Sequence, residues 1–147
     1  MANPLYGQNK FDNAIDGDAK WYASESLDLA STAAVYPVFS VPAGSYVLDI
    51  KVLITTAIVA GSMDIDVGDG TDPDRFINGW DGTAGSIDVD TIHSFGQGSG
   101  STEVGVDTGA YYSSADTIDV DINTVASSGV IKLLVLLATH IPSSSVH

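Results

Sequence analysis

Cysteine is absent from the 147 residues, which removes disulfide staples, thiol catalysis and cysteine-ligated zinc from consideration. It leaves the compartment open. Basic residues are scarce: five Lys and Arg stand against 19 acidic residues, 17 of them Asp, for a formal net charge of -14. Nucleic acid and anionic membranes are poor partners for such a chain, since binding them needs cations to neutralise phosphates. Glu is nearly missing, and the dominance of Asp points to turns and strand ends, where a short carboxylate bonds nearby backbone. Long apolar runs are lacking too. The longest, Val130 to Ala138, is interrupted by Lys132 and is about half the length of a membrane-spanning helix. The opening MANPLYGQNKF has no apolar core of the kind a secretory signal needs, so the expectation is a soluble protein made in a cytosol.

What the chain has in abundance is β-branched residues in alternation. In GSYVLDIKVLITTAIVAG, from Gly44 to Gly61, Leu48, Ile50, Val52, Ile54, Thr56 and Ile58 fall on every second position. That is the period of a strand with one face in a core. Further strands are expected at Leu27 to Ala30, Ala34 to Ser40, Met63 to Val67, Ser86 to Asp90, Ile92 to Phe95, Glu103 to Val106, Thr117 to Ile122 and Val130 to Ile141. Pro37 marks the second as an edge or bulged strand. The last is apolar at both alternate sets of positions, as a central strand packed on two sides would be. Gly-rich clusters at Gly68 to Arg75, Trp80 to Gly85 and Phe95 to Ser101 read as loops.

Short strands at regular spacing predict an all-β fold, an antiparallel β-sandwich. A jelly roll is the expected topology, with an immunoglobulin-like sandwich left open by periodicity alone. Residues 1–26 are polar, with aromatics only at Tyr6, Phe11 and the adjacent Trp21 and Tyr22, and read as an extended N-terminal arm. Residues 27–141 form the sandwich domain. Residues 142–147, PSSSVH, read as a flexible tail.

Candidate chemistry is thin. The pattern MDIDV at Met63 to Val67 recurs as SIDVD at Ser86 to Asp90 and TIDVDI at Thr117 to Ile122, each presenting carboxylates opposite an apolar face. A solvated acidic sheet face is the expected meaning. Asp64, Asp66, Asp69, Asp72 and Asp74 also offer a hard cation such as calcium several oxygens. Their spacing departs from an EF-hand, with Gly68 where a ligand is wanted and no Glu at the twelfth place, so no metal site is assigned. His93, His140 and His147 accompany no G-x-S-x-G elbow, H-E-x-x-H pair or P-loop, and His140 reads as a strand-end residue. Carboxylate pairs can be drawn at will from 17 Asp, so none identifies a glycosidase. No catalytic residue and no cofactor is expected. Trp80, Tyr111 and Tyr112 could stack on sugar rings, or could cap the core and line a subunit contact.

The start MANPLYGQNK, the stretch VPAGSYVLDIKVLI and the loop VGDGTDPDRFINGWDGTA resemble small structural proteins of tailed bacteriophages, especially those of marine bacteria and cyanobacteria. Within that group the chain is most similar to capsid decoration, or cement, proteins. The resemblance is clearest from Met1 to about Ala84. It implies a sandwich or jelly roll that trimerises and sits on the outer capsid surface of the virion. The implied partners are the major capsid protein of the same particle and further copies of the chain. It also implies that Ala2 to Trp21 form an arm that orders on binding. No catalytic residues come with the resemblance. Alternatives in the same particle are a tail or head-fibre module recognising a host surface glycan, and a neck or tail-completion component.

Overall fold

The computed structural model describes residues 16–81, 86–90, 92–94 and 110–139. They form eleven strands: β1 (Asp16–Ala23), β2 (Leu27–Asp28), β3 (Val35–Val41), β4 (Ser45–Val59), β5 (Asp64–Asp69), β6 (Ile77–Trp80), β7 (Ser86–Ile87), β8 (Ile92–Ser94), β9 (Ala110–Tyr112), β10 (Asp116–Thr124) and β11 (Ser128–Thr139). No helix occurs among the described residues. The strands build two antiparallel sheets. The larger, of seven strands, runs β1-β11-β4-β7, with β2 also on β11 and β8 and β9 also on β4. The smaller runs β3-β10-β5-β6. The fold is the all-β sandwich that the alternation predicts.

The core lies between the sheets because each contributes one apolar face. In the larger sheet Ile50, Val52 and Ile54 of β4 stand opposite Val135, Leu133 and Ile131 of β11, and all six are buried. In the smaller sheet Val120 and Ile122 of β10 stand opposite Val67 and Ile65 of β5, again all buried. Directly opposed residues share a face, so these pairs form the two inner layers of one core. Gly68 lets the following turn fold back: a Cβ there would collide with the backbone of Asp72 and Pro73.

The simple alternation of β4 fails at two places. Asp49 pairs with Leu136 while Val47 pairs with Leu137, so Leu48 is an extra residue that shifts the inward set from even to odd positions. Val47 is therefore buried and Leu48 exposed. A second irregularity near Thr55 and Thr56 turns Thr56 outward before Ile58 returns to the core. Of the six residues expected inward, Ile50, Val52, Ile54 and Ile58 are buried.

Other elements differ from the sequence expectation in instructive ways. Residues 16–23, expected within an arm without regular structure, form β1 at the edge of the larger sheet, pairing with β11 from Asp16↔Thr139 to Ala23↔Leu134. Residues 1–15 of that expected arm, and residues 142–147 of the expected tail, lie outside the described residues. So does the strand expected at Glu103 to Val106. Trp80, expected in a loop, ends β6. No strand is expected from the sequence at β9. Pro37 does sit in an edge strand, where β3 skips a residue against Ile118 and Asp119. β11 is central, but its outward residues Lys132, Leu134 and Leu136 are half-buried, with no further layer over them among the described residues.

Candidate functional site

The acidic repeats become two different things in the fold. MDIDV and TIDVDI lie on the neighbouring strands β5 and β10, where Asp66 stands directly opposite Asp121. Their apolar residues point inward, so the carboxylates of Asp64, Asp66, Asp119 and Asp121 share the outer face of the smaller sheet. The third copy is elsewhere: Ser86 and Ile87 pair with the end of β4 in the larger sheet.

Like charges opposed across a sheet repel, and local donors offset part of that. One carboxylate oxygen of Asp66 accepts from the Gly79 N–H at 2.7 Å, the other from the Asn123 side-chain amide at 2.8 Å. Gly79 holds a φ of 70°, a conformation that glycine adopts without strain, while its N–H reaches Asp66. Asp119 accepts from the Thr117 hydroxyl at 2.6 Å. Asp64 keeps a raised pKa, from partial burial first and then from the charges of Asp66, Asp81 and Asp121.

Asp69 behaves oppositely. Alternation from the buried Ile65 and Val67 sends it inward, and it is 4% exposed. Oδ1 accepts from the N–H groups of Thr71 and Asp72, each at 2.9 Å. Oδ2 accepts from Arg75 Nε at 2.6 Å and from the Tyr112 hydroxyl at 2.7 Å. Burial works to raise the Asp69 pKa, but the hydrogen bonds from Tyr112, Asp72 and Thr71, with the Arg75 charge, outweigh it and hold it below the usual carboxylate range. Burial and the Asp69 carboxylate together push the Tyr112 hydroxyl far above its ordinary value. Tyr112 belongs to β9 of the larger sheet and Asp69 to β5 of the smaller, so the cluster clamps the two sheets together at one end of the sandwich. A cleft of about 460 Å³ opens beside it, lined among others by Thr71, Arg75, Tyr111 and Asp116.

The five aspartates considered as calcium ligands are thus divided. Asp64 and Asp66 face outward, and Asp69 is turned into the clamp. Asp74 accepts from Asn78 at 2.7 Å and is shifted upward by its hydrogen bond with Asp72. Among the described residues no three His, Asp or Glu side chains are grouped to hold a metal ion.

The aromatics divide as well. Trp80 is 1% exposed and stands opposite Ile65 in the core, so it offers no ring to a sugar. Tyr112 is buried, while Tyr111 is 51% exposed with its ring 4.7 Å from that of Tyr46. His93 falls in β8 against Val52, and His140 and His147 lie outside the described residues. Sequence reasoning misses the clamp and offers Asp69 only as a possible ion ligand. The clamp's available signal was the spacing D-G-T-D-P-D-R, an Asp capping its own turn with an Arg six residues on.

No family model matches the sequence, and no curated protein matches it. Solved structures do. One is a chain of the cyanophage Pam1 capsid asymmetric unit, with a TM-score of 0.53 and 15% identity, over 86% of this chain and 91% of that one. Another is a chain of the acidic stable capsid structure of Helicobacter pylori bacteriophage KHP30, with a TM-score of 0.51 and 12% identity, over 81% of this chain and 86% of that one. What the chain shares with both, along most of each, is the sandwich fold.

Proposed function

We infer that the protein is a non-enzymatic structural component of a phage virion, a decoration or cement protein that binds the outer capsid surface and stabilises the shell. The observation that carries this reading is the likeness in fold, over more than four-fifths of each chain, to chains of two phage capsid structures. One is from a cyanophage, in keeping with the sequence resemblance. The strand order β1-β11-β4-β7 facing β3-β10-β5-β6 supports a jelly roll, since the chain crosses between sheets at β2/β3, β3/β4, β4/β5, β6/β7, β9/β10 and β10/β11. The one buried carboxylate among the described residues, Asp69, is committed to four donors, which suits a structural clamp better than proton transfer.

The energetic logic is linkage. A ligand that binds the assembled lattice and not its separate subunits stabilises the lattice. Repeated symmetric copies, here trimers, multiply a modest contact through avidity. Residues 1–15 act in this reading as the arm that pins the domain to the shell. Burial of Trp80 takes away the main residue behind a glycan-binding module.

Cryo-electron microscopy of the virion tests the reading by copy number. Hundreds of copies on the shell are expected, and a handful at the tail or neck would refute decoration. Light scattering on the purified protein should give a trimer mass. Removing residues 1–15 should leave the sandwich folded and lower shell occupancy, and full occupancy would refute the arm.

A further inference from the structure

Among the described residues, the outer face of the larger sheet differs in composition from that of the smaller. Register fixes its composition. Leu136 of β11 stands between Trp21 of β1 and Asp49 of β4. In the next row Leu134 stands between Ala23 and Lys51. In the next, Leu53 of β4 stands between Lys132 and Ile92. Trp21 is 47% exposed and Ile92 53% exposed, and Leu53, Leu134 and Leu136 are half-buried. The Lys51 ammonium lies 5.4 Å from the Trp21 ring centroid. Two of the chain's five basic residues thus stand in the middle of an apolar patch. Asp49 flanks them and Asp28, opposite Val130, lies at the rim. The outer face of the smaller sheet carries Asp64, Asp66, Asp119 and Asp121 instead.

We propose that this face docks onto the shell, against a protein surface that presents aliphatic side chains around one or two carboxylates. The assignment rests on the decoration reading above. Contiguous exposed apolar side chains mark interaction sites, and the exposed tryptophan is the residue type that most often anchors one. Charge selects the occupant. A second copy using the same face is related by a two-fold axis and would set four lysines, Lys51 and Lys132 of both copies, against only the two copies of Asp49 within the patch. A second copy offering its smaller sheet would set the leucines against carboxylates. A foreign surface with a carboxylate opposite each lysine meets neither penalty and leaves the acidic sheet facing solvent, where its charge keeps particles apart.

Particles of the parent phage lacking this protein, mixed with purified variants, provide the test. Trp21→Ala and Lys132→Glu should each lower shell occupancy at least tenfold, with the melting temperature and the oligomer mass unchanged. Asp121→Asn, on the opposite sheet, should bind as the wild type does. Undiminished binding by both face variants would overturn the proposal, as would an equal loss with Asp121→Asn. Dissociation of the oligomer by either face variant would identify a second copy as the occupant, and a large fall in melting temperature a segment of the same chain; both also overturn it. Shells that take up no wild-type protein would instead remove the decoration reading, and this surface assignment with it.

Discussion

At the scale of single residues, position in a strand decides what an aspartate does. Asp66 and Asp69 lie three apart on β5 and so face opposite ways. One meets water, the other the interior, where a carboxylate survives only with its lone pairs satisfied. Four donors satisfy Asp69. Asp69→Asn removes the partner charge of Arg75 and should cost about 2 kcal/mol at neutral pH, read as a lower urea midpoint. The pH dependence gives a sharper check. Because the folded-state pKa of Asp69 is lowered, the carboxylate's contribution is present above the unfolded value of about 3.9 and is lost as pH falls through the folded value. The gap between wild type and Asp69→Asn should narrow below about pH 4. A gap that stays constant to acid pH would mean that shape, not charge, holds the clamp.

At the scale of elements, sequence and structure agree where a strand is buried on one face and uninterrupted. β5, β10 and β11 are legible because Ile65/Val67, Ile118/Val120/Ile122 and Ile131/Leu133/Val135 keep the two-residue period that the core imposes. β4 is legible as a strand but not in its facing, because the extra residue at Leu48 reverses the phase and nothing in SYVLDIKV announces it. β1 is illegible for a related reason. It is an edge strand paired on one side, so DGDAKWYA needs no run of inward apolar residues. β6 is only four residues long and contains the left-handed Gly79, a turn signal by composition. The clamp was hidden because Tyr112 and Asp69 are 43 residues apart. The edge position of β1 makes a prediction. Its pairing with β11 continues into Ser24, whose hydroxyl accepts from the Leu133 N–H at 2.8 Å while its own N–H donates to the Leu133 carbonyl at 2.8 Å. Deleting residues 1–23 should therefore expose the ladder edge of β11, lower the melting temperature by about 10 °C and promote aggregation through that edge. A truncated protein as stable and soluble as the full chain would show that β1 contributes nothing to the sandwich.

At the scale of the whole molecule, the net charge of -14 is unevenly spread, and the unevenness shapes stability as well as docking. The outer face of the smaller sheet holds like charges in register at Asp66 and Asp121, a repulsion that salt screens. Asp121→Asn should stabilise the protein by about 0.5 kcal/mol at low ionic strength, with the gain fading at high salt. Acid acts on the same face in the sense opposite to its action on the clamp. Asp64 has a raised folded-state pKa, so it takes up a proton more readily when folded and adds stability as pH falls towards that value. Asp69 has a lowered one and withdraws stability only at more acid pH. Together they place the window of greatest stability below neutrality, between the folded-state titration of Asp64 and that of Asp69. Melting temperatures measured across pH in low-salt buffer should rise from pH 7 towards that window and fall below it. With Asp121→Asn the rise should shrink, because one of the charges that lifts Asp64 is gone, while the fall at lower pH, which belongs to Asp69, should persist. A profile that declines steadily from neutrality in both proteins would mean that the acidic face is fully relieved by water and its local donors.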